Sequence, residues 1–346
     1  MQAQLSAPQS QCSPFGMMMQ YITGYWVSQA IYTLTKLGVP EELKNGPASA
    51  QTLADRLEAN PDFLFRLLRA SSAMGLLESH DNDQFSLSPL GQLLRENVPN
   101  SMRAIVLMMG EEHLTAWNRL LDGVKTGQTP FEMEFGTQCF DYMEKNQRAG
   151  DLFNAAMTSF VENEVSQVTA AYDFGQFEQL IDVGGGHGRL LASILKQHPQ
   201  LSGVVFDLPH VVNGAAAIFE QDGVSDRAKA EGGDFFQAVP ANADGYIMSH
   251  IIHDWSDSKS LEILKNIRRV IRPNGKLLLA ETVILPGPNA INSTLMDLNM
   301  LVMTPGGRER TRAEYEALLA QAGFSLLRII PVSTMVSIIE AVPATL

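Results

Sequence analysis

The spacing of apolar positions changes near residue 179, and that change divides the chain. From Leu180 onward short apolar runs recur at Leu180 to Val183, Gly203 to Phe206, Tyr246 to Met248 and Lys276 to Ala280, with amphipathic stretches between them. Strands separated by helices predict a parallel sheet covered on both faces, a doubly wound α/β domain. Two late runs, Leu326 to Ile330 and Met335 to Ile339, follow a helix predicted over Arg312 to Ala322. Their close spacing predicts a terminal antiparallel hairpin on that sheet. Before residue 179 the period is helical. Met102 to Met109, Glu111 to Val124 and Asp151 to Tyr172 read as helices, interrupted by a loop around Pro130 and Gly136.

The first hundred residues carry a separate pattern. Tyr21 to Leu37 is apolar almost all round, with Tyr25, Trp26, Ile31, Tyr32, Leu34 and Leu37 on more than one face. Such a helix is buried, either by a second subunit, the reading preferred here, or by its own chain. Ala50 to Leu57 reads as a short helix. A second helix starts at Pro61 with Asn60 as its cap and stops at Gly75, its apolar side drawn from Phe63, Leu64, Leu67, Leu68 and Met74. Leu76 to Glu78 and Gln84 to Leu87 then flank the turn His80 to Asp83, a hairpin signal. Two helices and a two-stranded wing make a winged helix, a shape that often reads DNA. Residues 1–110, however, hold seven Lys/Arg against nine Asp/Glu, and the wing tip offers Asp81 and Asp83 where a DNA reader needs cations. The module is expected to pack, not to bind DNA.

Composition narrows the choice further. The chain of 346 residues has a net charge of −13, which disfavours nucleic acid and anionic membrane as partners. Hydrophobic residues make up 45%, enough for packed cores. Cys12 and Cys139 are the only cysteines, too few for a disulfide framework or a cysteine zinc site, so a reducing, cytoplasmic compartment is expected. Met1 to Ser13 shows neither a basic nor an apolar targeting segment, and no apolar run is long enough to span a membrane.

The strongest chemical signal is Leu180-Ile181-Asp182-Val183-Gly184-Gly185-Gly186-His187-Gly188. A strand runs into glycines and then a helix, so a ligand can approach the backbone beside a helix N-terminus. The dinucleotide pattern G-x-G-x-x-G fails in every frame: the sixth position from Gly184 is Arg189, and from Gly186 it is Leu191. No Gly-Lys-Ser/Thr ending marks a nucleoside-triphosphate loop either. Asp207, followed by Leu208 and Pro209, ends the next strand, where a carboxylate can accept both hydroxyls of a ribose. Asp234 and Phe235 follow with a carboxylate and a ring suited to an adenine edge and face. An acid as close to the glycines as Asp182 suits a nucleoside ligand without a pyrophosphate. A second constellation begins at His253, which follows the strand Tyr246 to Met248 in the tripeptide His-Asp-Trp. The C-terminal edge of an open sheet is where ligands bind, and histidine is the side chain most easily poised as a base near neutral pH. Glu281 ends the next apolar strand, and Glu309 lies in the loop Pro305 to Thr311. His250, three residues before His253, reads as a structural strand residue.

These motifs together resemble the class I S-adenosylmethionine-dependent O-methyltransferases of the plant caffeate/flavonoid type and their bacterial small-molecule relatives. The resemblance covers nearly the whole chain. It implies a mainly helical winged-helix dimerisation domain over 1–110, a helical connection contributing to the substrate pocket over 111–172, and a Rossmann-like catalytic domain over 173–346. It implies S-adenosylmethionine as cofactor, held by Asp182, Gly184, Gly186, Gly188, Asp207, Leu208, Asp234 and Phe235. Ser249 stands where the family has a lysine, which changes the grip on the methionine end. His253 corresponds to the family's base, with Glu281 and Glu309 orienting its ring and stabilising the imidazolium, and Asp254 positioning the substrate or the loop. Met157, Phe160, Met296, Met300 and Met303 fall where acceptor-binding helices lie. The resemblance further implies a homodimer acting on a small, phenolic secondary metabolite. The scattered histidines show no metal-ligand spacing, so metal-independent chemistry is expected. Three alternatives stay open: nitrogen or carbon as methyl acceptor, other chemistry on a bound cofactor, and a ligand-sensing winged-helix regulator.

Overall fold

A computed structural model describes residues 13–287 and 290–345, so Cys12 and most of the opening polar segment lie outside the described residues. The chain forms two compact units that meet in sequence between Gly110 and Glu111.

In the first unit, helix α1 spans Pro14–Leu37 and starts well before Tyr21. Pro14 sits in its first turn, Ser13 Oγ accepts from the Gly16 N–H, and Gly38 in a left-handed conformation ends it. Only Leu34 and Thr35 of this helix are buried, while Phe15, Met18, Tyr21, Ile22, Tyr25 and Trp26 are more than half exposed. The described residues therefore leave most of this apolar helix exposed. Strand β1 (Ala48–Ser49), helix α2 (Ala50–Arg56), helix α3 (Pro61–Ala73) and strands β2 (Leu77–His80) and β3 (Gln84–Leu87) follow. The three strands pair antiparallel in the order β1-β3-β2. Asn60 Oδ1 accepts from the Phe63 N–H at 3.1 Å, as the cap signal predicts. Asn82 and Asp83 take left-handed angles at the hairpin tip, which these two residue types tolerate. Phe63, expected on the apolar face of α3, is 69% exposed, and Leu64, Leu68, Phe85 and Leu87 make the core instead.

The second unit opens with short helices. The helix expected over Glu111 to Val124 is broken: a π turn covers Met109–His113, with Glu111 outside helical angles, and helices follow at Leu114–Trp117 and Leu120–Thr126. Helix α4 runs over Gln147–Ala171, capped by Asn146. Then come β4 (Gln179–Val183), α5 (Arg189–Gln197), β5 (Ser202–Asp207), β6 (Ala228–Gly232), β7 (Gly245–Ser249), α6 (Asp257–Val270), β8 (Lys276–Glu281) and β9 (Val283–Ile284). Helix α7 (Ile291–Met303), β10 (Arg310–Thr311), α8 (Arg312–Gln321), β11 (Phe324–Pro331) and β12 (Ser337–Pro343) complete the chain. Seven strands form one sheet in the order β11-β12-β8-β7-β4-β5-β6, parallel except at β12, which runs antiparallel to both its neighbours. The terminal hairpin is therefore present. Strand β6 escapes a reading by apolar runs because only Ala228 of its five residues is buried.

Alternation builds the two faces of the sheet. Leu180, Ile247, Leu278 and Ile338 point into one apolar layer, with Leu191 and Leu195 of α5. Their neighbours Ile181, Tyr246, Met248, Leu277 and Leu279 point into the other, with Ile263 and Ile267 of α6. Strand β4 is flanked by β5 and β7, so the chain reverses its direction of travel across the sheet there. Such a switch point opens a crevice at the C-terminal edge, where ligands bind. Among the described residues no helix is long and apolar enough to cross a membrane.

Candidate active site

Gly184, Gly186 and Gly188 all adopt left-handed angles after β4, conformations that exclude ordinary side chains. At Gly184 a Cβ would also lie 2.6 Å from Ile251 Cδ1, so the loop passes close under the His253 segment. The result is a bare backbone cradle at the start of α5. Beneath it, Asp182 is 1% exposed and neither carboxylate oxygen has a well-formed hydrogen bond. Burial and the neighbouring Asp207 push its pKa up to about 7, against a pull downward from the Leu191 N–H. An orphaned buried carboxylate is costly, and a cationic or N–H-bearing ligand group relieves it.

Asp207 ends β5 and accepts from the Gly186 N–H at 2.9 Å and the Leu208 N–H at 2.7 Å. Burial raises its pKa, and these two donors resist the rise. Each oxygen keeps a second lone pair, so two ribose hydroxyls can still donate to it. Leu208 presents a 45% exposed apolar side chain beside it. The Asp234 carboxylate is engaged locally, accepting from the Phe236 N–H at 2.9 Å and from Gln237 Nε2 at 3.1 Å. It therefore fixes the turn that presents Phe235, whose ring packs edge-on against Phe236 and Trp255. Ser249 closes β7 at the same edge of the sheet. The glycine cradle, the open Asp207 lone pairs and the unpartnered Asp182 carboxylate fit a nucleoside that carries an ammonium group.

His253 lies in a short 3-10 turn, Ile252–Asp254, and is 8% exposed. Its Nδ1 meets Glu309 Oε1 at 2.8 Å. Glu281 acts differently from the ring-orienting role expected of it. Its Oε1 accepts from the backbone N–H groups of Ile251 and Ile252 at 3.0 and 2.8 Å, while Oε2 stands 3.9 Å from His253 Nδ1 without a hydrogen bond. Glu281 thus holds the loop, and Glu309 holds the ring. Asp254 Oδ1 is 3.6 Å from His253 Nε2, too far to bond, which leaves that nitrogen available. Burial pulls the His253 pKa down, but Asp254, Glu281 and Glu309 outweigh it and carry the value to about 10. Burial raises Asp254 to about 6 and raises Glu281 as well, with the His253 charge opposing both shifts.

The frame around His253 includes residues that the sequence reading did not single out. Arg310 is 1% exposed and donates to the carbonyls of Ile252 and Trp255 and, in a two-pronged contact, to Asp257 Oδ1. It clamps the His253 loop from behind. The Arg308 N–H donates to the His253 carbonyl at 2.7 Å, and a Cβ on Gly307 would fall 2.7 Å from that same oxygen. Asp297 in α7 accepts from the Glu309 N–H at 2.9 Å and sets the position of that glutamate. The only sequence signal for Arg310 was its place beside Glu309. His250 is also corrected: it lies just past β7 with φ +54, its Nε2 2.7 Å from Glu164 Oε2.

The residues expected to line the acceptor pocket separate into two groups. Met157, Phe160 and Met296 are half-buried, whereas Met300 and Met303 are buried, and Met303 packs with Phe131, Cys139 and Val302 in a local core. Phe160 lies one helical turn before Glu164, which reaches His250, so this face of α4 adjoins the His253 cluster. Phe140, which also meets Phe153, stacks on Trp255 and adds aromatic surface. The structure also brings together a set that sequence spacing did not show. His250, His253 and Glu281 each offer a ligand atom within 4.8 Å of the others. Both rings already engage a carboxylate, His250 that of Glu164 and His253 that of Glu309.

Comparison with known proteins decides the family. The O-methyltransferase domain pattern matches residues 117–325, and the O-methyltransferase dimerisation domain pattern matches residues 19–97. The chain belongs to the O-methyltransferase family. It is an S-adenosylmethionine-dependent methyltransferase, in keeping with the cradle after β4. It is 41% identical over 326 residues to a phenazine O-methyltransferase of Lysobacter antibioticus, covering 94% of this chain and 95% of that one. It is 33% identical over 326 residues, 93% of each chain, to an 8-amino-8-demethylriboflavin N,N-dimethyltransferase of Streptomyces davaonensis. Among solved structures it resembles an O-methyltransferase of neocarzinostatin biosynthesis in complex with S-adenosylmethionine and 2-hydroxy-5-methyl naphthoic acid. That likeness has a TM-score of 0.78 at 31% identity and covers 92% of this chain and 96% of the other. The family thus includes enzymes named for methylating oxygen and enzymes named for methylating nitrogen.

Proposed function

We propose that this methyltransferase moves the methyl group to a hydroxyl of a small aromatic acceptor, with His253 as general base. The observation that carries this reading is the buried His253–Glu309 contact at 2.8 Å, which occupies Nδ1 and leaves Nε2 open. When bound, S-adenosylmethionine supplies a methyl group already activated by its sulfonium. Asp182 would accept from its ammonium group, and Asp207 from its ribose hydroxyls. Leu208 and Phe235 would border its adenine, Asp234 would hold the turn beneath, and Gly184, Gly186 and Gly188 would leave room for it. Ser249 offers a hydroxyl at the methionine end in place of a charge. No metal has a part in this chemistry.

The protein's own work is alignment and proton removal. Glu309 fixes the ring, Glu281 and Arg310 fix the loop, and Asp254 adds negative charge beside the open nitrogen. Three surrounding carboxyl groups keep His253 protonated at neutral pH. A proton must therefore leave the pair formed by His253 and the acceptor hydroxyl before oxygen can attack. Neutral His253 facing a hydroxyl and protonated His253 facing an oxyanion contain the same number of protons, so both routes give the same pH dependence. The rate under limiting acceptor is expected to rise with pH on the alkaline side of neutrality. A profile that stays flat from pH 6 to 9 would remove His253 from the proton path.

Nitrogen is the second reading, because the dimethyltransferase cited above acts at that atom. Oxygen is favoured here because a neutral amine attacks without losing a proton first, and a buried base held by Glu309 would have no task. Met157, Phe160 and Met296 would form an adaptable apolar wall for a flat acceptor. For the assembly, the exposed apolar face of α1 lies within and beside the segment matching the dimerisation domain pattern. A second copy of the chain would cover it, and a solution mass near twice 37.9 kDa checks this.

A further inference from the structure

The cluster holds a second histidine for which the base mechanism has no use. His250 follows directly on β7, and its backbone N–H continues the pairing to the Ala280 carbonyl at 3.1 Å. Its φ of +54 is unusual for a residue with a side chain, and such strain persists where the surroundings enforce it. Nε2 is 2.7 Å from Glu164 Oε2, a carboxylate delivered by α4, and the imidazole ring centre is 5.3 Å from that of His253. The side chains of His250 and Glu164 are 26% and 18% exposed, so the pair opens to solvent beside the nearly closed base. Among the described residues nothing bonds to Nδ1 of His250.

Resting on the reading of oxygen methylation, we propose that His250, held by Glu164, binds an anionic oxygen adjacent to the reacting hydroxyl. It thereby selects aromatic acceptors with an ortho carboxylate. Glu164 engages Nε2, and Nδ1 is the nitrogen that would donate to the acceptor. Burial lowers the pKa of His250 and the His253 charge opposes its protonation, but Glu164 and, more weakly, Glu281 overcome both and favour the charged ring. A charged donor answers a carboxylate better than a neutral substituent. The two histidines would then face the two neighbouring oxygens of one acceptor, His253 the hydroxyl and His250 the carboxylate. Glu164 stands one turn beyond Phe160 on α4, so charge recognition and the apolar wall share a helix face.

The test is calorimetric and needs no turnover. The protein, with S-adenosylhomocysteine present, is titrated with 1-hydroxy-2-naphthoate and separately with 1-naphthol, which lacks only the carboxylate. The wild type is expected to bind the naphthoate about tenfold more tightly or better. In His250→Asn that ratio falls to within about twofold, asparagine being tolerant of the left-handed angle that position 250 requires. Glu164→Gln gives an intermediate ratio. An unchanged ratio in His250→Asn, a wild type that does not prefer the naphthoate, or failure of both compounds to bind overturns the proposal. If either acceptor gains a methyl on oxygen without that preference, the oxygen reading stands and this inference alone fails.

Discussion

With His253→Ala, the rate under limiting acceptor is expected to fall roughly 10²–10⁴-fold on a weakly acidic phenol. The loss is expected to be much smaller on a nitrophenol that is already ionised at the assay pH. The difference follows from what the side chain does: it removes a proton, and an acceptor that arrives without one has no use for it. The variant also loses the alkaline rise of the wild type. Affinity for S-adenosylmethionine should stay near wild type, because Asp182, Asp207 and the glycine cradle lie on β4, β5 and the loop after β4, not on the His253 turn. Initial rates on the two phenols, with cofactor affinity measured alongside, decide the matter. Equal losses on both would show that His253 does not act by removing the acceptor's proton.

Arg310→Met is expected to destabilise the second unit by about 2–4 kcal/mol. The side chain is 1% exposed and donates to two loop carbonyls and to Asp257. Methionine fills similar volume but leaves the Ile252 and Trp255 carbonyls without this donor. Asp257 itself is 58% exposed, so water can take over its charge, and this keeps the expected loss below that of a fully buried pair. Because the same carbonyls belong to the His253 turn, the surviving folded protein should also turn over more slowly. Denaturant unfolding followed with rate measurements well below the midpoint separates the two effects. An unfolding midpoint unchanged from wild type would show that Arg310 is not the clamp.

Much of this architecture was legible because particular residue types answer particular backbone needs. Left-handed angles at Gly184, Gly186 and Gly188 require glycine, so the cradle is written in the sequence. The cap at Asn60 and the stop at Gly75 are written in the same way. The alternation of Leu180 with Ile181 and of Tyr246 with Ile247 follows from a sheet covered on both faces. Other features depended on long-range contacts that no local pattern encodes. Strand β6 pairs with β5 through its backbone while exposing Lys229 and Glu231, so no apolar run marks it. Arg310 looks like an ordinary loop cation until the His253 turn folds over it. Glu281 ends β8, as the apolar run before it implies, but its main partners are backbone N–H groups. His250 looked like a strand residue because nothing local to Ser249 announces a left-handed step. Met303 satisfied the spacing of a pocket wall yet packs into a core, an outcome that helical periodicity does not distinguish.

The most direct measurement is the position of a labelled methyl group on an acceptor that offers both atoms. Incubated with methyl-deuterated S-adenosylmethionine, 3-amino-4-hydroxybenzoate presents an amine and a hydroxyl on neighbouring carbons. Mass spectrometry and NMR of the product locate the label. The label is expected on oxygen, with a large loss of that product in His253→Ala. Label on nitrogen, undiminished in the variant, would contradict both the acceptor atom and the base.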